Sequence, residues 1–505
     1  MLASSFKATP ATSGLSATIQ PVVTVDKDPT IAGPASARTL SPADAPFTFG
    51  NTGSLNTART DHTALAGGDN RATIAGGGLT FAPLASAAWT GATNAFWITS
   101  TNWSPPTVPG LGDTATFNGA GNGNTTIDLG FFPVTINTIV FDTASAAAYS
   151  IGDRPIGSQT LTLNDGGAIT VNSTVTNRER VSANVILGTL RLTTSTISLT
   201  NNSTTSVLAI EGDISPPTFG DGLPGTKTLA LGGSGNGAIT GSIEIPSSLT
   251  VVAALTKSGT GTWALSGGNA YNETTTIGDG VLRLNSRFAL PGGVDGQAED
   301  GSNLTLDGGV VGLGFDDFLR PLGSSPNQVQ WTASGGFAAY GADRNVNIGR
   351  HDPPTTLVAG EAGFLTSGAL ILGAADADHT VTFENGIDLR GAPSLEVQVD
   401  RGSAAIDAII SGAIIDIDAA TEWVKIGDGT LALTGTNTYD GTTEVISGTL
   451  LINGNSTGAI GAVGVTNSGT VLGGTGIVGG AVTLNFGGTI LGGTGGHGQW
   501  NADGK

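Results

Sequence analysis

Beyond residue 160, short runs of alternating apolar and polar residues follow one another, each closed by Gly, Asn, Asp or Thr. Examples are QTLTLNDGGAITVNSTV, LGTLRLTTSTISLTNNS, HTVTFENGIDLRG and VTLNFGGTILGG. A period of two bounded by turn residues is the signature of a half-buried strand. In SNLTLDGG, Leu304 and Leu306 face one way, while Asn303, Thr305 and Asp307 face the other. No ten-residue helical pattern separates these runs, which excludes a βαβ enzyme fold.

Two of the runs are copies of each other. KSGTGTWALSGGNAYNETTTIGDGVLRLN (257–285) aligns without gaps to KIGDGTLALTGTNTYDGTTEVISGTLLIN (425–453). Lys257 pairs with Lys425, Gly259 with Gly427, Asn269 with Asn437, Tyr271 with Tyr439 and Gly280 with Gly448. A strand-and-turn unit of about thirty residues cannot bury its apolar face alone; stacking at about 4.8 Å per rung pairs its backbone and makes a continuous core. The expected fold is all-β, an elongated parallel β-solenoid (β-helix) with a less regular N-terminal arm. Leu265, Leu433, Leu282 and Leu450 should point inward. The asparagines form either a turn or an inward amide ladder, and the tyrosines pack over a corner. About 400 residues at roughly 20 to 25 per rung give a rod of about 80 to 100 Å.

Composition agrees. Of 505 residues, 80 are Gly and only 12% are charged, which disfavours long helices, while 38% hydrophobic residues suffice for a core. There is no cysteine, so neither disulfides nor thiolate metal sites arise. A net charge of −20 argues against nucleic acid and anionic membranes as partners and favours solubility or cation-mediated contact with other surface polymers. No apolar stretch reaches 18 residues, so no helical membrane span is expected. The first twenty residues lack the apolar region of a signal peptide, and no series of barrel strands with aromatic girdles is legible, leaving the export route open.

The chain divides into a Pro/Ala/Thr-rich arm or linker (1–46), a short fragment with linker (47–88), a Trp-rich N-terminal cap with the first rungs (89–159) and the solenoid (160–505). Trp89, Trp97 and Trp103 form either a cap over the exposed core end or a sugar-binding platform. Within 47–78, residues 53–56 (GSLN), Arg59, residues 62–64 (HTA), Gly76 and Gly77 resemble a single kelch blade, in which His62 would be a turn residue. One blade cannot close a propeller ring.

The paired segments resemble the passenger-associated β-strand repeat of bacterial autotransporters: Lys-x-Gly-x-Gly, Leu-x-Leu-x-Gly, Asn-x-Tyr, Gly-x-Thr and a closing Gly-x-Leu. The second copy keeps Gly441, Thr442 and Thr443, whereas the first has Glu273 at the glycine position, which should weaken that turn. GGFAAYGADRNVNIG, GALILGAADADHTVTFENGIDL and IDAIISGAI are similar to the large glycine-rich proteins that carry these repeats in planctomycetes and verrucomicrobia. The resemblance implies a bacterial extracellular or cell-surface β-helix, usually without enzymatic activity.

No catalytic, cofactor-binding or metal residue is assigned. Parallel β-helices also host polysaccharide lyases and hydrolases, and paired carboxylates about 5 to 9.5 Å apart are what glycoside hydrolysis requires. The pairs available are Asp316 with Asp317, Asp376 with Asp378, and Asp416 with Asp418. The densest ionic run holds Asp343, Arg344, Arg350, His351 and Asp352, read as a surface loop or, alternatively, a lyase-type site. His62, His351, His379 and His497 lack metal-ligand spacing. Three functions are therefore carried forward. A non-catalytic structural or adhesive surface protein, with glycans or surface proteins as partners, leads; a filament subunit self-associating through solenoid ends and a polysaccharide-acting enzyme are the alternatives.

Overall fold

The computed structural model describes residues 86–492 except 153–154, 189–193, 218–225, 245–251, 298–300, 391, 418–419 and 486. Upstream it describes only the backbone of short antiparallel strands at Leu2–Lys7, Gln20–Val25 and Arg38–Thr39, and at Ala72–Ala75 and Gly78–Phe81. The kelch-like residues Gly53, Asn56, Arg59, His62, Ala64, Gly76 and Gly77 lie outside the described residues, as do Asp418 and His497.

From residue 86 onward the chain winds as a β-solenoid with long parallel sheets along its faces. A 13-stranded sheet forms the first face and ends at Val329–Trp331; a 15-stranded sheet forms the second face from Thr126–Ile127 to Val482–Leu484. A third, 7-stranded sheet starts at Arg344–Val346 and ends at Thr489–Gly492. Among the described residues the strands of these faces pair in parallel, except that Trp103–Ser104 runs antiparallel to Ser86–Trp89 at the N-terminal edge and a lone antiparallel bridge joins Ala339 to His379. Among the described residues there is no α-helix, only two 3₁₀ turns.

Alternation in the sequence becomes inside and outside in the coil. Thr262–Leu265 buries Trp263 and Leu265, while Thr262 and Ala264 stay partly exposed. Leu282, Leu433 and Leu450 are likewise interior. Each such side chain contributes about 1.5 to 3 kcal/mol by leaving water, and the inward columns merge into one core running from Ala87 to Leu472. Leu304 and Leu306 are inside as expected. Asn303 and Thr305 are also covered, because Gln330 of the next rung donates to both from outside, at 3.2 and 3.1 Å.

The two repeat copies fold alike but sit on different faces. In the first, Val252–Lys257 and Thr275–Ile277 belong to the 13-stranded sheet, and Thr262–Leu265 and Val281–Leu284 to the 15-stranded one. In the second, Glu422–Ile426 and Thr443–Val445 are in the 15-stranded sheet, and Thr430–Leu433 and Thr449–Ile452 are in the third. The motif has therefore stepped round the coil by one face. The step falls between Val329–Trp331 and Leu370–Leu372, where one long rung inserts strands at Arg344–Val346 and Thr356–Val358.

Fifteen strands on the second face correspond to a coil on the order of 70 Å. That is shorter than 80 to 100 Å, because corner loops such as residues 347–355 and 359–369 use up chain without adding a rung.

Candidate functional site

Each repeat is built around a lysine that points inward. Lys257 stands in register between Leu231 and Ile277, and Lys425 between Val397 and Val445; both are buried. Their ammonium groups reach a corner and donate to carbonyls. Lys257 Nζ donates to Ser258 (3.1 Å), Gly259 (2.6 Å) and Asp279 (2.9 Å); Lys425 Nζ donates to Ile426 (3.2 Å), Gly427 (2.7 Å) and Ser447 (2.9 Å). Two carbonyls lie on the lysine's own corner and the third on the next rung, so each lysine clips two rungs together. Gly259 and Gly427 take φ of 72° and 76°, which turns those carbonyls toward the ammonium. Burial pulls both lysines down to about 8, against opposing attraction from Asp279 and Asp428 respectively.

The asparagines bridge rungs. Asn269 Oδ1 accepts from Ile243 N (2.8 Å) and its Nδ2 donates to Ala289 O (2.7 Å); Asn437 Oδ1 accepts from Ile414 N (2.9 Å) and its Nδ2 meets Ser456 Oγ (3.0 Å). Tyr271 and Tyr439 are buried, each sharing a 2.7 Å hydrogen bond with Thr275 or Thr443. All of this is scaffold chemistry: every polar group is engaged by the coil itself.

The tryptophans are scaffold too. Trp89, Trp97 and Trp103 are at most 2% exposed, Trp103 meets the other two edge-on at 5.0 and 4.8 Å, and their indole nitrogens donate to Asn124, Pro109 and Trp97 carbonyls. None offers a face to a sugar. Among the described residues the most exposed aromatics are Phe131 and Phe132, both on the loop after Thr126–Ile127, with Phe96, Phe288 and Phe315 about half exposed.

Of the residues in the acidic pairs, Asp316, Asp317, Asp378 and Asp416 hold backbone, while Asp418 lies outside the described residues. Asp316 accepts from Asp317 N and Asp317 from Asn345 N. Asp378 accepts from Gly341 N and contacts His379 at 2.9 Å, which together hold its carboxyl below the usual range, His379 foremost. Asp416 accepts from Asp440 N at 3.1 Å. The ionic run also disperses: Asp343 accepts from Thr380 N, Arg344 reaches Gly314 O at 3.5 Å, and the His351 carbonyl accepts from Asn347. Among the described residues no ion pair joins those five, and no group of three or more His, Asp or Glu is placed to hold a metal. A groove of about 400 Å³ does lie beside them, between His351, Asp352, Glu384 and Ser411. Burial, then Asp317, raises the Glu384 carboxyl.

A second cleft, not foreseen from the sequence, lies on the outside of the second face. Val281, Val310 and Ile371 share one outward register column with Thr262, Gly336 and Gln398. The loop after Leu370–Leu372 folds back over this column and packs Ala374 and Ala377 with Val281, Val310, Ala338 and Tyr340 in a small apolar cluster outside the main core. Asp376 straps the loop down: Tyr340 donates to its Oδ1 (2.5 Å) and Thr262 to its Oδ2 (2.7 Å). Arg283 lies over the Tyr340 ring at 4.5 Å. The strap leaves a cleft of about 350 Å³. Its one legible trace was GAADADH, where alternation lapses between two strands.

Comparison with known proteins adds the family context. The model of the passenger-associated-transport-repeat matches residues 255–284 and 424–452. The adhesin BmaC autotransporter of Brucella suis biovar 1 (strain 1330) is 27% identical over 176 residues, covering 32% of this chain and 5% of that protein. The chain thus spans a small fraction of this relative's length. No solved structure matches.

Proposed function

We propose that this chain, which carries two copies of the passenger-associated-transport-repeat and is similar in part to an autotransporter adhesin, is a non-catalytic rod of the bacterial cell surface or exterior serving structure or adhesion. The observation that carries the reading is the parallel coil over residues 86–492, in which the repeat lysines, asparagines and tyrosines are all spent on holding rungs together. A side wall of paired strands is stiff and presents surface at a distance, which is what display requires. In this reading residues 89–159 form the Trp-rich cap and first rungs, residues 160–505 the solenoid rod, residues 1–46 an arm or linker, and residues 47–88 a kelch-like fragment and linker. The adhesin relative supports a surface glycan or surface protein as partner.

The test is retention without turnover. Immobilised full-length chain should hold cells or surface polysaccharide from a susceptible host, and a panel of acidic and neutral polysaccharides incubated with it should release no soluble sugar. Product release that survives purification to homogeneity would replace this reading with an enzymatic one.

A further inference from the structure

We propose that the strapped cleft on the second face binds an uncharged or amino-sugar glycan segment; this rests on the adhesive reading above and assigns it a site. The wall of a solenoid is flat unless something is built on it, and here the return of the 373–378 loop makes a concavity. The loop is fixed rather than draped. Both carboxylate oxygens of Asp376 are engaged by hydroxyls from two other rungs, and Gly402 and Ser403 of the following rung lie under it, with Ser403 N donating to Ala377 O at 2.9 Å.

The floor is apolar, formed by Val281, Val310, Ile371 and Ala374, and suits the C–H faces of a pyranose. The rim carries Asn236, Thr260, Asp279, Gln398 and Asp400, a mixture of amide, hydroxyl and carboxylate groups matched to sugar hydroxyls. Direction follows from register. Thr262, Val281, Val310, Gly336, Ile371 and Gln398 succeed one another rung by rung, so the cleft runs along the coil axis. The column spans on the order of 25 Å at the usual strand spacing, which favours a linear oligosaccharide over a compact ligand.

Charge sets the class of sugar. Asp279, Asp376 and Asp400 all border the cleft, and among the described residues no Lys, Arg or His lines it. The Asp400 carboxyl is raised by burial first, with Asp428 and Asp407 adding to the effect, while Gln398 opposes it through a 2.9 Å hydrogen bond. Uronate or sulfate groups would meet like charge, as they would from the chain's net charge of −20. Neutral hydroxyls, or the ammonium of a deacetylated amino sugar, would not.

The experiment is calorimetric titration of the full chain with cello- and malto-oligosaccharides, chitosan oligosaccharide, oligogalacturonate and oligolysine. It is repeated on Gln398→Ala, which trims the rim, and Ala375→Trp, which fills the cleft from an exposed loop position; unchanged circular dichroism shows that both variants fold. The expected result is binding of a neutral or amino-sugar oligosaccharide, weakened at least tenfold by either variant, with oligogalacturonate silent. Preference for oligogalacturonate would overturn the proposal, as would sugar binding indifferent to both variants. So would a cleft that takes oligolysine but no sugar, which would mark a site for a basic protein segment. If host cells or polysaccharide are still retained by both variants, the adhesive reading stands and only this cleft is wrong; loss of all retention by the parent chain would remove the adhesive reading itself.

Discussion

At the residue scale, the coil depends on a few polar side chains placed where an apolar one would be expected. Lys425 occupies an inward column whose neighbours are Val397 and Val445, yet it cannot be exchanged for valine without leaving three corner carbonyls short of a donor. Lys425→Met should lower unfolding free energy by about 1 to 3 kcal/mol, measured by urea denaturation at pH 7. Glu179 is the opposite case. It is fully buried, its Oε2 accepts from Tyr149 N at 2.9 Å, and its Oε1 has no partner. Burial, opposed by that backbone hydrogen bond, raises it from 4.5 to about 8. With the folded value above the unfolded one, the folded state holds the extra proton. Its contribution is complete below about pH 4.5 and is lost as pH rises through about 8. Glu179→Gln should therefore leave the denaturation midpoint nearly unchanged at pH 4.5 and raise it at pH 8, by about 2 to 4 kcal/mol in unfolding free energy. Equal midpoints for the two proteins at pH 8 would refute this. The two repeat lysines work in the other direction: depressed in the fold, they make stability rise between about pH 8 and their unfolded value of 10.5.

At the scale of the element, the repeat behaves as a portable corner with its flanking strands. Its lysine clip has the same geometry on the first and second faces as on the second and third. Copies differ only where the surrounding rung differs. At Gly441 an added Cβ would lie 1.8 Å from Thr421 O, so no side chain fits. Glu273, at the matching place, is exposed, and its N–H donates to Ala253 O at 3.0 Å. Gly441→Glu should therefore cost more than about 3 kcal/mol or prevent folding, while Glu273→Gly should change stability by under about 1 kcal/mol. Chemical denaturation of the two variants in parallel decides it. The motif's residues and pairing were legible from the sequence because they recur at fixed offsets. The clip was not, since Lys-x-Gly-x-Gly reads as turn chemistry until the lysine is seen pointing inward.

For the whole molecule, shape follows from rung count. Negative-stain microscopy of the purified chain should show rods on the order of 70 Å for the coiled part; compact globular particles would contradict the fold. Head-to-tail filaments require one coil to continue the parallel register of the next. At the N-terminal edge of the first face the outermost strand, Trp103–Ser104, is antiparallel and backed by buried indoles, which breaks that register. Sedimentation should accordingly give a mass that does not grow with concentration.

The sequence alone determined that this chain is a coil of stacked short strands. Period-two alternation, glycine at the turns and a gapless repeat each constrain neighbours a few residues apart, and local rules suffice to read them. It also placed Leu265, Leu282, Leu433 and Leu450 inside, since one apolar face per strand leaves no other choice. Only the tertiary structure decided which face each repeat occupies, because three parallel faces with apolar interiors are equivalent to a local motif. It likewise decided that the 373–378 loop returns across the wall, where Asp376 meets Thr262, 114 residues away in sequence, and Tyr340, 36 away. Contacts of that separation depend on how many residues each intervening rung consumes, and that number varies from turn to turn with loops whose length no periodicity encodes.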